Sequence, residues 1–386
     1  MAVLVVNAGS SSLKVAVFDE GLREVLGGRV TEIGGAAARV EVGPLVGARV
    51  VADHAAALAL CFEAMEEAGV PVASLRAAGH RVVHGGAALV APCRVTEAVL
   101  AEVEACVPLA PLHNPANLTG MRALARVAPE LPQFASFDTA FHATVPDVAR
   151  RYALPAEAEA LGLRRYGFHG ISYAALVRKV QGMASGELPE RILAFHLGNG
   201  ASACAIVGGR SVATTMGYSP LDGLTMGTRT GEIDGNAVLR LAELFGVAGA
   251  GRILNRESGL LGLGGASDMR ALRRAVAGAG PAAEAARFAL AHFCYWAVRH
   301  GGSLIAAMGG LDAVCFTGGI GENDAGVRAE ILRGLGFAGV EFDEAANAGG
   351  ATVLHPEGAR VAVRIVAAEE ERQIAMEAMQ VMAGGL

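Results

Sequence analysis

Val3-Leu-Val-Val-Asn7-Ala-Gly9-Ser10-Ser-Ser12-Leu-Lys14-Val-Ala-Val-Phe18-Asp19 opens the chain and decides how the rest is read. An apolar run, a small polar turn and a second apolar run spell a β-hairpin. The turn from Asn7 to Ser12 holds a glycine and three serines and nothing bulky. Backbone N–H groups and hydroxyls can gather round a phosphate there, with the Lys14 ammonium as a point charge beside them. Only two of the 32 basic side chains are lysines, Lys14 and Lys179, so thirty are arginines. A compact cation in this turn therefore stands out, although an ordinary hairpin with a solvated lysine accounts for the segment equally well.

The same design returns at Ile192-Leu-Ala-Phe-His196-Leu-Gly198-Asn199-Gly200-Ala-Ser202-Ala-Cys-Ala-Ile-Val207. Two phosphate-type hairpins, one in each half, suggest a duplicated fold whose halves grip a nucleotide; two hairpins alike by chance is the plainer reading. Between them strands and helices alternate, which favours α/β architecture. Helices are expected over Asp53 to Glu67 (Asp N-cap, Gly69 as stop), over Pro115 to Val127, from Ala282 to Met308 and from about Glu370. The apolar 282–308 helix is expected to be buried on most sides. Strands are expected up to Val83 and over Gln133 to Phe137.

At 386 residues two domains are the default. We expect residues 1–141 with 371–386 to form one, carrying the first hairpin, and residues 142–370 a nucleotide-binding second, close together because no low-complexity linker intervenes. A net charge of −6 argues against general nucleic-acid binding. No uncharged apolar run of membrane-spanning length appears, so no membrane association is expected. The six cysteines form neither a CxxC pair nor a cluster with histidines, as expected of reduced, mostly buried thiols in a cytoplasmic protein.

No P-loop and no convincing dinucleotide fingerprint occurs. Thr317-Gly-Gly319-Ile-Gly321-Glu-Asn323 follows the apolar run Ala313 to Phe316 and precedes a helix, a context for a nucleotide over backbone; a structural turn would also explain its glycines. Arg81, in His80-Arg-Val-Val-His84-Gly-Gly86, and Arg229, in Met226-Gly-Thr-Arg-Thr-Gly231, sit in tight turns where guanidinium forks could take carboxylate or phosphate oxygens. With thirty arginines, ordinary surface ion pairs compete with that reading. Asp138 stands at the end of a strand, where α/β sites usually lie; a helix cap is its plain alternative. For His169, in Tyr166-Gly-Phe-His-Gly170, the alternative is a satisfied core histidine.

Taken together, these motifs resemble the acetate kinase family, within the acetate and propionate kinase group. The resemblance spans the chain: NAGSSSLK at 7–14, HRVVHGG at 80–86, PLHNPAN at 111–117, FDTAFH at 137–142, YGFHG at 166–170, HLGNG at 196–200, SPLDGLTMGTRTGEID at 219–234, DMR at 268–270, TGGIGEN at 317–323 and EE-x-x-IA from Glu370. It implies the duplicated actin-like ATPase (ribonuclease H-like) fold, two domains with an interdomain active-site cleft, and usually a homodimer. It also implies reversible phosphoryl transfer from ATP to acetate, giving acetyl phosphate and ADP by in-line displacement.

By the same resemblance Asn7 and Glu370 would position magnesium, or manganese in its place, and Lys14 would lie near the transferring phosphates. Asp138 would be the catalytic carboxylate, and His169 and Arg229 would stabilise the transition state. Arg81 would hold the substrate, with Val83, Leu112, Phe168 and Pro220 about its methyl group. His196, Leu197, Gly198, Asn199 and Gly200, then Asp268, Met269 and Arg270, then Gly319, Ile320, Gly321, Glu322 and Asn323 would bind the nucleotide. Tyr173, Glu232, Gly235 and the Ala368-Glu369 pair depart from the usual family pattern, which bears on the adenine side and on nucleotide preference. Propionate or another short-chain acid is the nearest alternative substrate, and the branched Val83 leans toward acetate. A nucleotide-switched actin-like ATPase is the reading from a different class.

Overall fold

The computed structural model describes residues 2–183 and 187–384. Two compact units emerge: residues 1–141, 170–175 and 369–386 form the first, and residues 142–169 and 176–368 the second.

In the first unit β1 (Ala2–Gly9) and β2 (Ser12–Asp19) form the expected hairpin, with Asn7 directly opposite Lys14. The sheet runs β5-β4-β3-β2-β1-β6-β8-β7, where β3 is Glu24–Thr31, β4 Ala38–Val42, β5 Leu45–Arg49, β6 Leu75–Val82, β7 Cys93–Arg94 and β8 Gln133–Phe137. Both faces are covered, which is why β1 reads as a nearly unbroken apolar run. Leu4 and Val6 point to the core beneath helices His54–Glu67 and Asn114–Val127, while Val3 and Val5 point to the core shared with Ile374 and Ala375 of helix Glu370–Met382. Asp53 caps the first of these helices through the Ala56 N–H at 2.9 Å.

In the second unit the sheet order is β11-β10-β9-β12-β13: β9 Arg191–Leu197, β10 Ala201–Val207, β11 Arg210–Thr214, β12 Ala313–Thr317, β13 Ala362–Ile365. The β9–β10 and β10–β11 pairs are antiparallel, and β9–β12 and β12–β13 are parallel. The five strands β3-β2-β1-β6-β8 repeat this order and these directions. The echo between the hairpins is thus an echo between whole sheets, and the architecture is the duplicated actin-like α/β fold.

Two expectations are corrected. Helix Pro281–Met308 buries one stripe, including Leu290, Phe293 and Ala297, but leaves Phe288 and Tyr295 59% and 63% exposed. The glycine-rich stretch expected as a turn is itself the short helix Gly318–Asn323, which Thr317 precedes in extended conformation, before a further helix Ala325–Gly334. All six cysteines are free, and only Cys93 is not buried. Among the described residues no helix is long and apolar enough to cross a membrane.

Candidate active site

In the first unit the parallel strands β6 and β8 end side by side and deliver Arg81 and Asp138 to one place. Arg81 Nη2 donates to Asp138 Oδ2 at 2.7 Å, and Nε reaches Oδ1 and Oδ2 at 3.1 and 3.2 Å. Asp138 is 2% exposed. Burial opposes charge on Arg81, but the carboxylates of Asp138, Glu370 and Glu371 outweigh it and hold the guanidinium well above its usual range. Glu370 and Glu371 begin the helix Glu370–Met382, which packs on β1 and β6. Lys14 donates to the Glu371 carboxylate. Asn7, Lys14, Arg81, Asp138 and Glu370 therefore belong to one end of one sheet. Val83 beside them is buried, whereas Leu112 is 48% exposed.

The histidines flanking Arg81 serve the scaffold. His80 is buried beside the Gln133 amide, and burial pulls its imidazole down to about 4. His84 Nδ1 accepts the Gly86 N–H at 2.9 Å, fixing the turn that follows the strand.

In the second unit the β9–β10 turn, the 226–231 turn and the 166–169 turn meet. His169 has a backbone φ of +59°, in the left-handed region that costs a non-glycine residue of order 1 kcal/mol. Its ring stacks on His196, centroids 4.1 Å apart, and its Nδ1 lies 2.9 Å from Ser202 Oγ. His142 donates from Nε2 to the Phe168 carbonyl at 2.9 Å and packs against Gly167, where a Cβ would lie 2.6 Å from its ring. Phe168 is fully buried. Arg229 donates to the Pro220 carbonyl. A methyl group at Gly200 would lie 3.1 Å from Arg229 Nη2 and 3.3 Å from His169 Nε2. Those two polar atoms thus converge on the open side of Gly200.

The other nucleotide candidates divide. Gly318, with φ +78°, comes against the Leu197 backbone, so no side chain fits between β9 and the helix Gly318–Asn323. That contact joins the 196–200 and 319–323 segments, and Gly319 faces open space. Arg328, fully buried, donates to the Gly321 and Glu322 carbonyls at 2.9 and 2.8 Å and anchors the end of that helix. Glu322 accepts the Ala368 N–H at 3.0 Å. Asp268 instead caps the helix Met269–Val276, and Arg270 folds back onto it; the Arg270 bond, aided by the Ala271 N–H, lowers the Asp268 carboxyl to about 2.

Sequence reasoning passed over several residues that hold this arrangement. Asn117 accepts the Val83 N–H at 3.0 Å and donates to the Ala8 carbonyl at 3.1 Å, tying the hairpin to the Arg81 strand. Asn114 does the same for the His84 backbone. Two asparagines in a helix that otherwise packs on a core were the available signal. Ser202 and Glu371 stood inside motifs quoted for other residues, and Arg328 gave no signal.

The profile of the Acetokinase family matches residues 2–376. An acetate kinase of Leifsonia xyli subsp. xyli is 44% identical over 400 aligned positions, covering 100% of both chains. The crystal structure of Porphyromonas gingivalis acetate kinase superimposes with a TM-score of 0.91 at 34% identity, covering 99% of each chain. That of a propionate kinase from Francisella tularensis does so with a TM-score of 0.93 at 33% identity, covering 98% of this chain and 99% of the other. Full-length matches of this strength, on a fold and motif order that agree with them, show that the chain belongs to the acetokinase family.

Proposed function

We propose that this protein transfers the terminal phosphoryl group of ATP reversibly to acetate, giving acetyl phosphate and ADP. The observation that carries the reading is the convergence of His169 Nε2 and Arg229 Nη2 over Gly200 in a second unit whose β9–β10 hairpin repeats the Asn7–Lys14 hairpin of the first. Phosphoryl transfer asks a protein chiefly for alignment and charge neutralisation. Arg229 and His169 meet charge on the equatorial oxygens of the moving group. Nucleotide contacts fall to His196–Gly200 and Gly319–Asn323, with Asp268–Arg270 beside them.

Acetate arrives already ionised at neutral pH, so no general base is needed. A carboxylate oxygen attacks phosphorus as the bond to the ADP oxygen breaks, and no proton moves. Asp138 then acts by fixing the Arg81 fork, which takes the substrate carboxylate, with the buried Val83 beside that fork as an apolar neighbour for the methyl group. One extra methylene changes such a pocket by only ~1–3 kcal/mol, so propionate is the nearest competitor.

The first unit suits a magnesium ion. Asn7 and Glu370 offer hard oxygen donors, and three carboxylates surround the Arg81 cation. Among the described residues there is no group of three or more His, Cys, Asp or Glu that could hold a metal ion. When bound it would neutralise phosphate charge. A second copy of the chain would cover Phe288 and Tyr295, and with it we read the protein as a cytoplasmic homodimer.

Trapping acyl phosphate as hydroxamate with magnesium-ATP and acetate, propionate or butyrate tests the reading. A higher kcat/KM for acetate is expected. A propionate preference would reassign the substrate, and ATP hydrolysis without acyl phosphate would favour a nucleotide switch.

A further inference from the structure

We propose that Ser202 is a positioning residue for the phosphoryl transfer, fixing the orientation of the His169 ring and donating to its Nδ1 so that the proton stays on Nε2, the nitrogen that faces the reacting group. The inference rests on the reading of His169 as a transition-state group. Ser202 is fully buried in β10, opposite His196 of β9. Its Oγ lies 2.9 Å from His169 Nδ1, on the ring edge away from Gly200, while Nε2 looks toward the Gly200 face where Arg229 Nη2 also ends.

The surroundings of the ring make that one contact consequential. The His169 backbone is held in the left-handed region, His142 grips the preceding carbonyl, and the His196 ring lies flat against the imidazole. Rotation within that stack would exchange the ring edges, and the hydroxyl opposes it. A hydroxyl that donates to bare Nδ1 leaves the neutral ring with its proton on Nε2, as a donor toward phosphoryl oxygen. The same hydroxyl rotates to accept from Nδ1–H if the ring becomes cationic, and Nε2 remains a donor. A carboxylate at this position could only accept, and would hold the proton on Nδ1, leaving Nε2 of the neutral ring without one. Serine thus supports donation in both protonation states.

The test is a double-mutant cycle on the intact enzyme, read as kcat and KM for acetate and ATP. Ser202→Ala should lower kcat about 10-fold or more, with both KM values within about twofold and an altered pH profile of kcat. Ser202→Thr, which keeps the hydroxyl, should recover most of the loss. In a His169→Ala background Ser202→Ala should have no further effect, because its path to the substrate is gone. Nitrogen NMR of histidine-labelled protein should show the proton of neutral His169 on Nε2 in wild type and a mixture of tautomers in Ser202→Ala. Wild-type kcat in Ser202→Ala, or equal losses in the presence and absence of His169, would overturn the proposal. Near-normal turnover in His169→Ala alone would instead overturn the role of His169 itself. If Ser202→Ala does not fold, the near-isosteric Ser202→Cys carries the same comparison.

Discussion

Arg81 and Asp138 meet through three N–H···O contacts of 2.7 to 3.2 Å, the guanidinium edge lying along a carboxylate that is 2% exposed. The pair fixes a flat fork whose direction an ammonium cannot reproduce. Arg81→Lys should therefore lower kcat/KM for acetate by about 10²-fold or more although the charge is kept. Asp138→Asn should lower kcat comparably and stay folded, because Glu370 and Glu371 still face the guanidinium. Circular dichroism and steady-state kinetics on both variants check this. Wild-type kcat/KM in Arg81→Lys would mean that only the charge matters.

Gly200 is absent from the positive-φ glycines, so alanine suits its backbone and the cost is local. The added methyl group would stand 3.1 Å from Arg229 Nη2 and 3.3 Å from His169 Nε2 and push both aside. Gly200→Ala should lose about 10-fold or more in kcat while stability changes by less than about 1 kcal/mol. Thermal unfolding beside turnover measures the two. A large loss of stability at normal turnover would place Gly200 in the scaffold.

The hairpins and Arg81, Asp138 and His169 were legible because their signals are local: alternating apolar runs, small turns and polar groups at strand ends. What held them in place was not. Ser202 and His169 are 33 residues apart, and Asn117 and Ala8 are 109 apart, so these bonds leave no periodic trace. Helix Pro281–Met308 was expected to be buried on most sides because apolar composition does not say how much of its surface this chain covers. The turn at Thr317–Asn323 proved helical because tertiary anchoring, through Arg328, overrides the low helix propensity of glycine.

Asn117 is 3% exposed and answers a backbone N–H on one side and a carbonyl on the other. Alanine would leave the Val83 N–H and the Ala8 carbonyl without it, at 1–3 kcal/mol for each buried group. Asn117→Ala should lose about 2–4 kcal/mol in urea denaturation, and Asn117→Asp, which keeps only the acceptor, should lose as much or more. A loss below about 1 kcal/mol in the alanine variant would show that water takes over both bonds.

His80 gives the fold a definite acid sensitivity. Burial lowers its imidazole from 6.5 to about 4. Above pH 6.5 neither the folded nor the unfolded chain protonates it, and it has no effect on stability. As the pH falls from 6.5 toward 4, the unfolded chain takes up a proton that the folded chain refuses, so stability drops by about 1.4 kcal/mol per pH unit. Below about 4 both states are protonated and the loss levels off. Between about pH 7 and about pH 5 this one histidine should account for about 2 kcal/mol. Urea denaturation of wild type and His80→Gln at those two pH values isolates the contribution, because only the difference between pH values is compared. The acid-induced loss should shrink by about 2 kcal/mol in the variant. An equal loss in both proteins would move the acid sensitivity to other groups.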